Sequence, residues 1–302
     1  LGLTTGSSPV SIYKELVNLY KEGKVSFRNV EIYSIDEYYP APADSFSRNR
    51  RLYQDLVANV DIKPENVHVP KLTEIYDSTY VSEFCASYDA KASGLDYLVM
   101  GTGEKGQVGF NEEGSAQQSR TRTVLLPYGS RKRQSRNFSG NVDATPHTAI
   151  AMGISTMMSA KKIHLIAWGE EKAEAVKRVS EDKADPSWAA SLLQSHDNIS
   201  MYVDENSASL LTRNVAPWLV GPCEWTPKFI RKAVVWLCEQ VHKPILKLTQ
   251  MWSSCATNAL KVSFFATKSV SVLTSTIAVL PFSERTSTIP SAAILVAIFA
   301  SA

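Results

Sequence analysis

Three short apolar runs constrain this chain most: residues 30–35, 95–100 and 163–168 are built largely from Val, Ile, Leu, Met and aromatic side chains, and each stops at a polar or glycine-rich turn. Runs of this length bounded by turn residues read as buried strands. Between and after them lie stretches with helical character, at residues 45–60, 75–92, 146–158 and 170–179. Buried strands alternating with helices call for an α/β fold, an open, doubly wound, mainly parallel sheet with helices on both faces. Ligands in such sheets sit beyond the carboxyl ends of the strands, so the turns that follow the runs are the candidate site.

The ends of the chain differ from this pattern. Leu1 is not a methionine, and the chain enters a turn at once, where a buried strand normally comes first. The expectation is therefore a truncated start and a sheet lacking its first strand, with apolar surface and an open edge left beside it. After Pro9 the apolar positions Ile12, Leu16 and Leu19 recur at helical spacing up to Gly23, which gives a helix of about four turns with Pro9 at its entry. At the other end, residues 251–302 hold four charged residues, Lys261, Lys268, Glu284 and Arg285, in 52 positions, beside 16 serines and threonines. No sustained helical or strand period runs through them. The organisation this suggests is a domain over residues 1–220, an extension or linker over 221–250 and a low-charge, poorly ordered tail over 251–302.

At 302 residues, with 44% apolar residues and a net charge of +2, the chain can bury a large core and carries no basic excess that would mark nucleic acid or a membrane surface as its partner. Any anion site must be local. Cys85, Cys223, Cys238 and Cys255 are far apart with no C-x-x-C pair, which argues against a zinc site and a disulfide framework and for a reducing cytoplasm. The longest apolar stretch, near Ile294 to Ala300, is too short to span a bilayer, and no charged leader opens the chain, so a soluble protein is expected.

Three turns carry chemistry. The first is T-T-G-S-S-P, Thr4 to Pro9, where a helix begins. Unpaired amides there favour an anion, while Thr5, Ser7 and Ser8 offer hydroxyls and Gly6 lets a phosphate approach the backbone; an ordinary N-cap with a glycine turn has the same composition. The second is Ile35-Asp36-Glu37-Tyr38, whose carboxylates at a strand end can take a proton from a bound sugar or simply start a loop. The third is M-G-T-G-E-K-G-Q-V-G-F-N-E-E-G-S, Met100 to Ser115, with Gly101, Gly103, Gly106 and Gly109 permitting tight turns and Asn111-Glu112 supplying a polar pair. Its G-x-G-x-x-G spacing suits a dinucleotide loop only if a helix follows at once, and Val108-Gly109-Phe110 is not a helix start, so a nicotinamide cofactor is rejected.

Taken in order, T-G-S-S-P, I-D-E-Y, G-x-G-x-x-G-x-x-x-F-N-E, S-R-T-R, S-R-N-F and G-E-E-K-A-E-A resemble the successive signatures of glucosamine-6-phosphate deaminases, over residues 1 to about 249. The resemblance implies a Rossmann-like sheet of the sugar-phosphate isomerase type, a sugar phosphate as ligand, no metal or organic cofactor, and it admits a homo-oligomer. Phe110-Asn111-Glu112 separates the chain from the similar 6-phosphogluconolactonases. The stretch W-L-V-G-P-C-E-W-T and the residues up to Thr249 resemble the extension of a longer form that carries a deacetylase-like domain. Position by position, Thr5, Gly6, Ser7 and Ser8 match the phosphate loop, with Arg136 and Lys172 as its cations. Asp36 matches the base that moves a proton between C2 and C1, and Glu112 the carboxylate of the ring-opening cluster.

Two positions depart from the family pattern. Where G-x-G-x-D-G-H is usual, this chain has Lys105 and Gln107, and an amide cannot exchange a proton near neutral pH as an imidazole does. The five histidines, His68, His147, His164, His196 and His242, match no catalytic position. The reading that follows is an amino-sugar-phosphate deaminase impaired by Lys105 and Gln107; the alternative is a non-catalytic sugar-phosphate-binding protein of the same fold. For the effector site of bacterial relatives, Arg122 is present and Val124 stands where a lysine is usual, so weak or absent activation by N-acetylglucosamine 6-phosphate is expected.

Overall fold

The computed structural model describes residues 1–6, 8–43 and 45–247 and the backbone of residues 270–273. Among the described residues the strands are β1 Gly2–Leu3, β2 Ile32–Ser34, β3 Asp36–Tyr39, β4 Val67–His68, β5 Tyr97–Gly101, β6 Arg122–Leu125, β7 Thr148–Ala151, β8 Lys162–Ala167, β9 Ile199–Asp204 and β10 Val270–Leu273. The α-helices are α1 Val10–Lys21, α2 Arg48–Asp55, α3 Ser78–Ala92, α4 Tyr128–Gln134, α5 Ile154–Met158, α6 Ala173–Glu181, α7 Thr212–Val215 and α8 Pro227–Val241. Seven strands pair in the order β10-β9-β8-β5-β1-β2-β4, and every pairing is parallel. The expected α/β sheet is what forms.

Each face of the sheet is covered because its strands are apolar on both sides. On one face Leu3, Ile32, Val99 and Ile166 pack with Tyr13, Leu16 and Leu19 of α1 and Leu52 of α2. On the other, Leu98, Met100, Ile163 and Leu165 pack with Tyr88 of α3, Met157 of α5 and Val176 of α6. Helix α1 follows the expected spacing: Leu16 and Leu19 are buried, Pro9 is its N-cap, and Gly23 turns the chain out at φ +70°.

Three readings from the sequence need correction. The first strand is present, since Gly2 and Leu3 pair with β2 on one side and β5 on the other, so the middle of the sheet is closed and no edge opens there. Residues 146–158 are not one helix. Thr148–Ala151 form β7, the central strand of a second sheet ordered β3-β7-β6, which is antiparallel, and helix begins only at Ile154. The alanines there favour helix in isolation, but Ala149, Ile150 and Ala151 are fully buried and paired on both edges, and that packing overrides propensity. In the final segment, Val270–Leu273 run parallel to β9 although no strand period is evident around them. The rest of the expected tail lies outside the described residues.

Candidate active site

The sheet reverses its winding at β1, which lies between β2 and β5. The turns leaving β1 and β5 therefore open side by side, and between them is a cleft of roughly 730 Å³ lined by Thr4 to Gly6, Ser8 and Pro9 from the first turn and Gly101 to Glu104 from the second. Local bonds fix the first turn. The Tyr13 hydroxyl donates to the carbonyl of Thr4 at 2.5 Å, and the Trp168 ring N–H to that of Ser8 at 2.9 Å. Gly6 takes φ +139°, a conformation side chains disfavour, and a Cβ there would meet nothing within 4 Å, so the space beside it is open. Helix α1 starts with no side-chain cap, and the Thr5 hydroxyl is buried without a hydrogen-bond partner. Unfilled donors around an open glycine turn suit an anion with several oxygens. Ser7 lies outside the described residues.

Lys172 and Arg136 line the same cleft, from the turn before α6 and the turn after α4. Burial holds the Lys172 ammonium below the usual lysine range; Glu104 and Glu171 oppose that shift and Arg133 and Arg136 add to it. Arg136 is exposed, its Nε donating to the carbonyl of Arg133 at 2.9 Å. Glu112 is held in the cleft by the Ser130 hydroxyl and by Arg133, whose guanidinium is 3.7 Å away.

Asp36 begins β3 and is 0% exposed. Its Oδ1 accepts from Arg48 Nε at 2.6 Å, while its Oδ2 has no hydrogen-bond partner. Burial raises its pKa above the ordinary aspartate value, Arg48 pulls the other way, and the neighbouring Glu37 adds to the rise. Glu37 is also fully buried, and it turns the opposite way along the strand to cap α2. It accepts from the amides of Arg48 and Asn49 at 3.1 and 2.9 Å, the Asn49 side chain at 2.6 Å and the Ser47 hydroxyl at 2.6 Å.

The two departures in the glycine loop are separated. Gln107 is 6% exposed and lines the cleft, with Oε1 accepting from the backbone N–H of Lys105 at 3.0 Å; the Lys105 side chain is exposed and does not line it. Among the described residues no histidine lines the cleft. Arg122 lies elsewhere, in a second pocket beside α3, where it donates to the Asn111 side chain at 3.0 Å. Asn111 in turn donates to the carbonyls of Val108 and Met152, so Arg122 braces the segment that carries Glu112. Sequence reasoning missed Arg48, Arg51 and Arg133, all cleft residues. Arg48 and Arg51 stood in the run R-N-R-R, which signals a charged helix face and nothing more specific.

A parallel α/β sheet with an open, uncapped glycine turn at its switch point and a buried carboxylate beside it belongs to the class of doubly wound α/β proteins whose ligand sites lie at that point. Comparison with known proteins narrows that class. Residues 1–201 match the family described as glucosamine-6-phosphate isomerases/6-phosphogluconolactonase, and the chain belongs to it. A glucosamine-6-phosphate deaminase-like protein of Bacteroides thetaiotaomicron is 42% identical over 253 residues, 82% of this chain; the chain spans only 38% of that relative's length. The glucosamine-6-phosphate deaminase of Beutenbergia cavernae is 39% identical over 215 residues, 70% of this chain and 81% of its own. Among solved structures, a monomeric glucosamine-6-phosphate deaminase superposes with a TM-score of 0.64 at 30% identity, covering 69% of this chain and 86% of that one.

Proposed function

We propose that the chain converts glucosamine 6-phosphate and water into fructose 6-phosphate and ammonia. The observation that carries this reading is Asp36: a buried carboxylate with one oxygen free of hydrogen bonds, bonded to Arg48 of a cleft that also holds the uncapped start of α1. With the phosphate on Thr5, Gly6, Ser8 and the amides of α1, and Lys172 and Arg136 supplying charge, the open-chain sugar lies toward β3. Asp36 takes the C2 proton and returns one to C1, moving the double bond. Water then adds to the C2 imine and ammonia leaves, so the C–N bond is hydrolysed after the isomerisation. Glu112 serves ring opening. Relatives named as glucosamine-6-phosphate deaminases support the substrate. A phosphorylated substrate and the free thiols of Cys85, Cys223 and Cys238 favour a cytoplasmic enzyme. We assign the catalytic unit to residues 1–220.

The test is a coupled assay for fructose 6-phosphate and ammonia beside calorimetric binding of inorganic phosphate. Asp36→Asn is expected to lower turnover by at least about a thousandfold while phosphate affinity stays within about twofold. Turnover that survives Asp36→Asn would overturn the assignment.

A second reading rests on Gln107, whose Oε1 is committed to the loop and whose amide cannot titrate. Under it the chain binds sugar phosphates with ring opening slow or absent. The double variant Lys105→Asp with Gln107→His separates the two, because an imidazole Nδ1 can accept the same backbone bond and leave Nε2 for proton transfer. A rise in turnover on the order of a hundredfold marks an impaired enzyme; no gain over an active parent shows that Gln107 already belongs to a working site, and no turnover in either chain favours the binding protein.

A further inference from the structure

The base assigned above is not itself part of the cleft surface. Asp36 is fully buried, whereas Arg48, with 12% of its side chain exposed, and Gly109 both line the cleft; Arg48 bonds the Asp36 carboxylate, and a Cβ at Gly109 would crowd it. Arg48 reaches in three directions at once. Its Nε donates to Asp36 Oδ1 at 2.6 Å, its Nη2 donates to the Thr5 carbonyl at 3.2 Å, and its guanidinium lies 4.5 Å from the centre of the Phe110 ring. A planar fork stacked on an aromatic face is the geometry that arginine can supply and lysine cannot.

We propose that Arg48 is the positioning residue of this site: one guanidinium ties the Asp36 carboxylate to the anion loop and leaves Oδ2 as its single free acceptor. The proposal rests on the reading of Asp36 as the base. Three consequences follow from the geometry. The carboxylate cannot rotate, because Oδ1 is held. The free Oδ2, itself buried, faces Gly109, where a Cβ would stand 2.9 Å from it, so a glycine there keeps the oxygen uncrowded on that side. And the base shares a rigid link with Thr5, so the loop that receives the phosphate and the atom that receives the proton keep a fixed relation.

The charges facing Asp36 are few. Among the described residues Arg48 from α2 is the one cation beside it; Glu37 is on its own strand, and the buried hydroxyls of Tyr38 on β3 and Tyr88 on α3 are the other titratable neighbours. Burial favours the protonated acid, and Arg48 is the group that opposes it. Without Arg48 the carboxyl should hold its proton to higher pH and lose its fixed orientation.

Carboxyl 13C titration of the full chain reads this directly, with the Asp36 resonance identified by its loss in Asp36→Asn. Arg48→Met should move the Asp36 midpoint up by about one to three pH units, and Arg48→Lys should recover part of that movement. The acid limb of kcat/KM for glucosamine 6-phosphate should shift by the same amount, with kcat at neutral pH falling about tenfold or more and partly restored by raising the pH. A purely structural role would leave both the midpoint and the acid limb in place, and that result in the two variants overturns the proposal. Arg48→Lys keeps the test open if Arg48→Met does not fold. Turnover surviving in Asp36→Asn would instead overturn the base assignment, a separate outcome from an unmoved midpoint.

Discussion

Two helices begin at this cleft, and they are finished in opposite ways. The start of α2 is filled by the chain's own anion: the Glu37 carboxylate takes the amides of Arg48 and Asn49 together with the Ser47 hydroxyl and the Asn49 side chain. The start of α1 has no side-chain cap, an open glycine turn and an unpartnered Thr5 hydroxyl. The same orphan amides are capped by the chain's own carboxylate in one place and left without a side-chain cap in the other. A buried carboxylate that fixes α2 also fixes Arg48, the residue immediately after Ser47 and the partner of Asp36. In the function proposed, rigidity at one helix start thereby serves the chemistry beside the other.

The sharpest way to break this contrast is Glu37→Ala. It removes the acceptor of several charge-assisted hydrogen bonds in a fully buried place, so unfolding in urea should show a loss of about 3 kcal/mol, the largest effect here. A loss under about 1 kcal/mol would mean that the cap contributes no more than an exposed one. Lys172→Met should come next, weakening inorganic phosphate by about tenfold in calorimetry with stability close to unchanged. Because burial disfavours charged Lys172, phosphate affinity in the parent chain should begin to fall as pH rises at values below the ordinary lysine range, and Lys172→Met should lack that alkaline decline. Smallest, and opposite in sign to Glu37→Ala, is Thr5→Val. Phosphate affinity should drop about fivefold while the urea midpoint holds or rises, since the hydroxyl removed has no partner in the unliganded fold. A lower midpoint would show that the α1 turn is a structural cap after all.

The elements that were legible in the sequence share a local origin. The helix from Pro9 to Gly23 follows from apolar spacing and its end signals, and the three apolar runs each hold a parallel strand because strands buried on both faces read as continuous hydrophobic stretches. Thr4 to Pro9 and Met100 to Ser115 were legible as glycine- and hydroxyl-bearing turns that follow strands, and residues of both line one cleft. Where local preference and tertiary pairing disagreed, the sequence misled: Thr148–Ala151 became the centre of an antiparallel sheet that no period announced.

What only the tertiary structure decided are the relations across distance. Asp36 and Arg48 are twelve positions apart, Glu112 in its loop meets Ser130 and Arg133 of α4, and Gln107 enters the cleft while Lys105, two residues earlier, stays out. The sequence by itself determined which groups exist and which turns can take an anion, since those depend on residue type and on neighbours along the chain. Which carboxylate is buried, which cation opposes it and which oxygen is left free depend on desolvation and on contacts between separate elements, and these arise only when the sheet and its helices close around them.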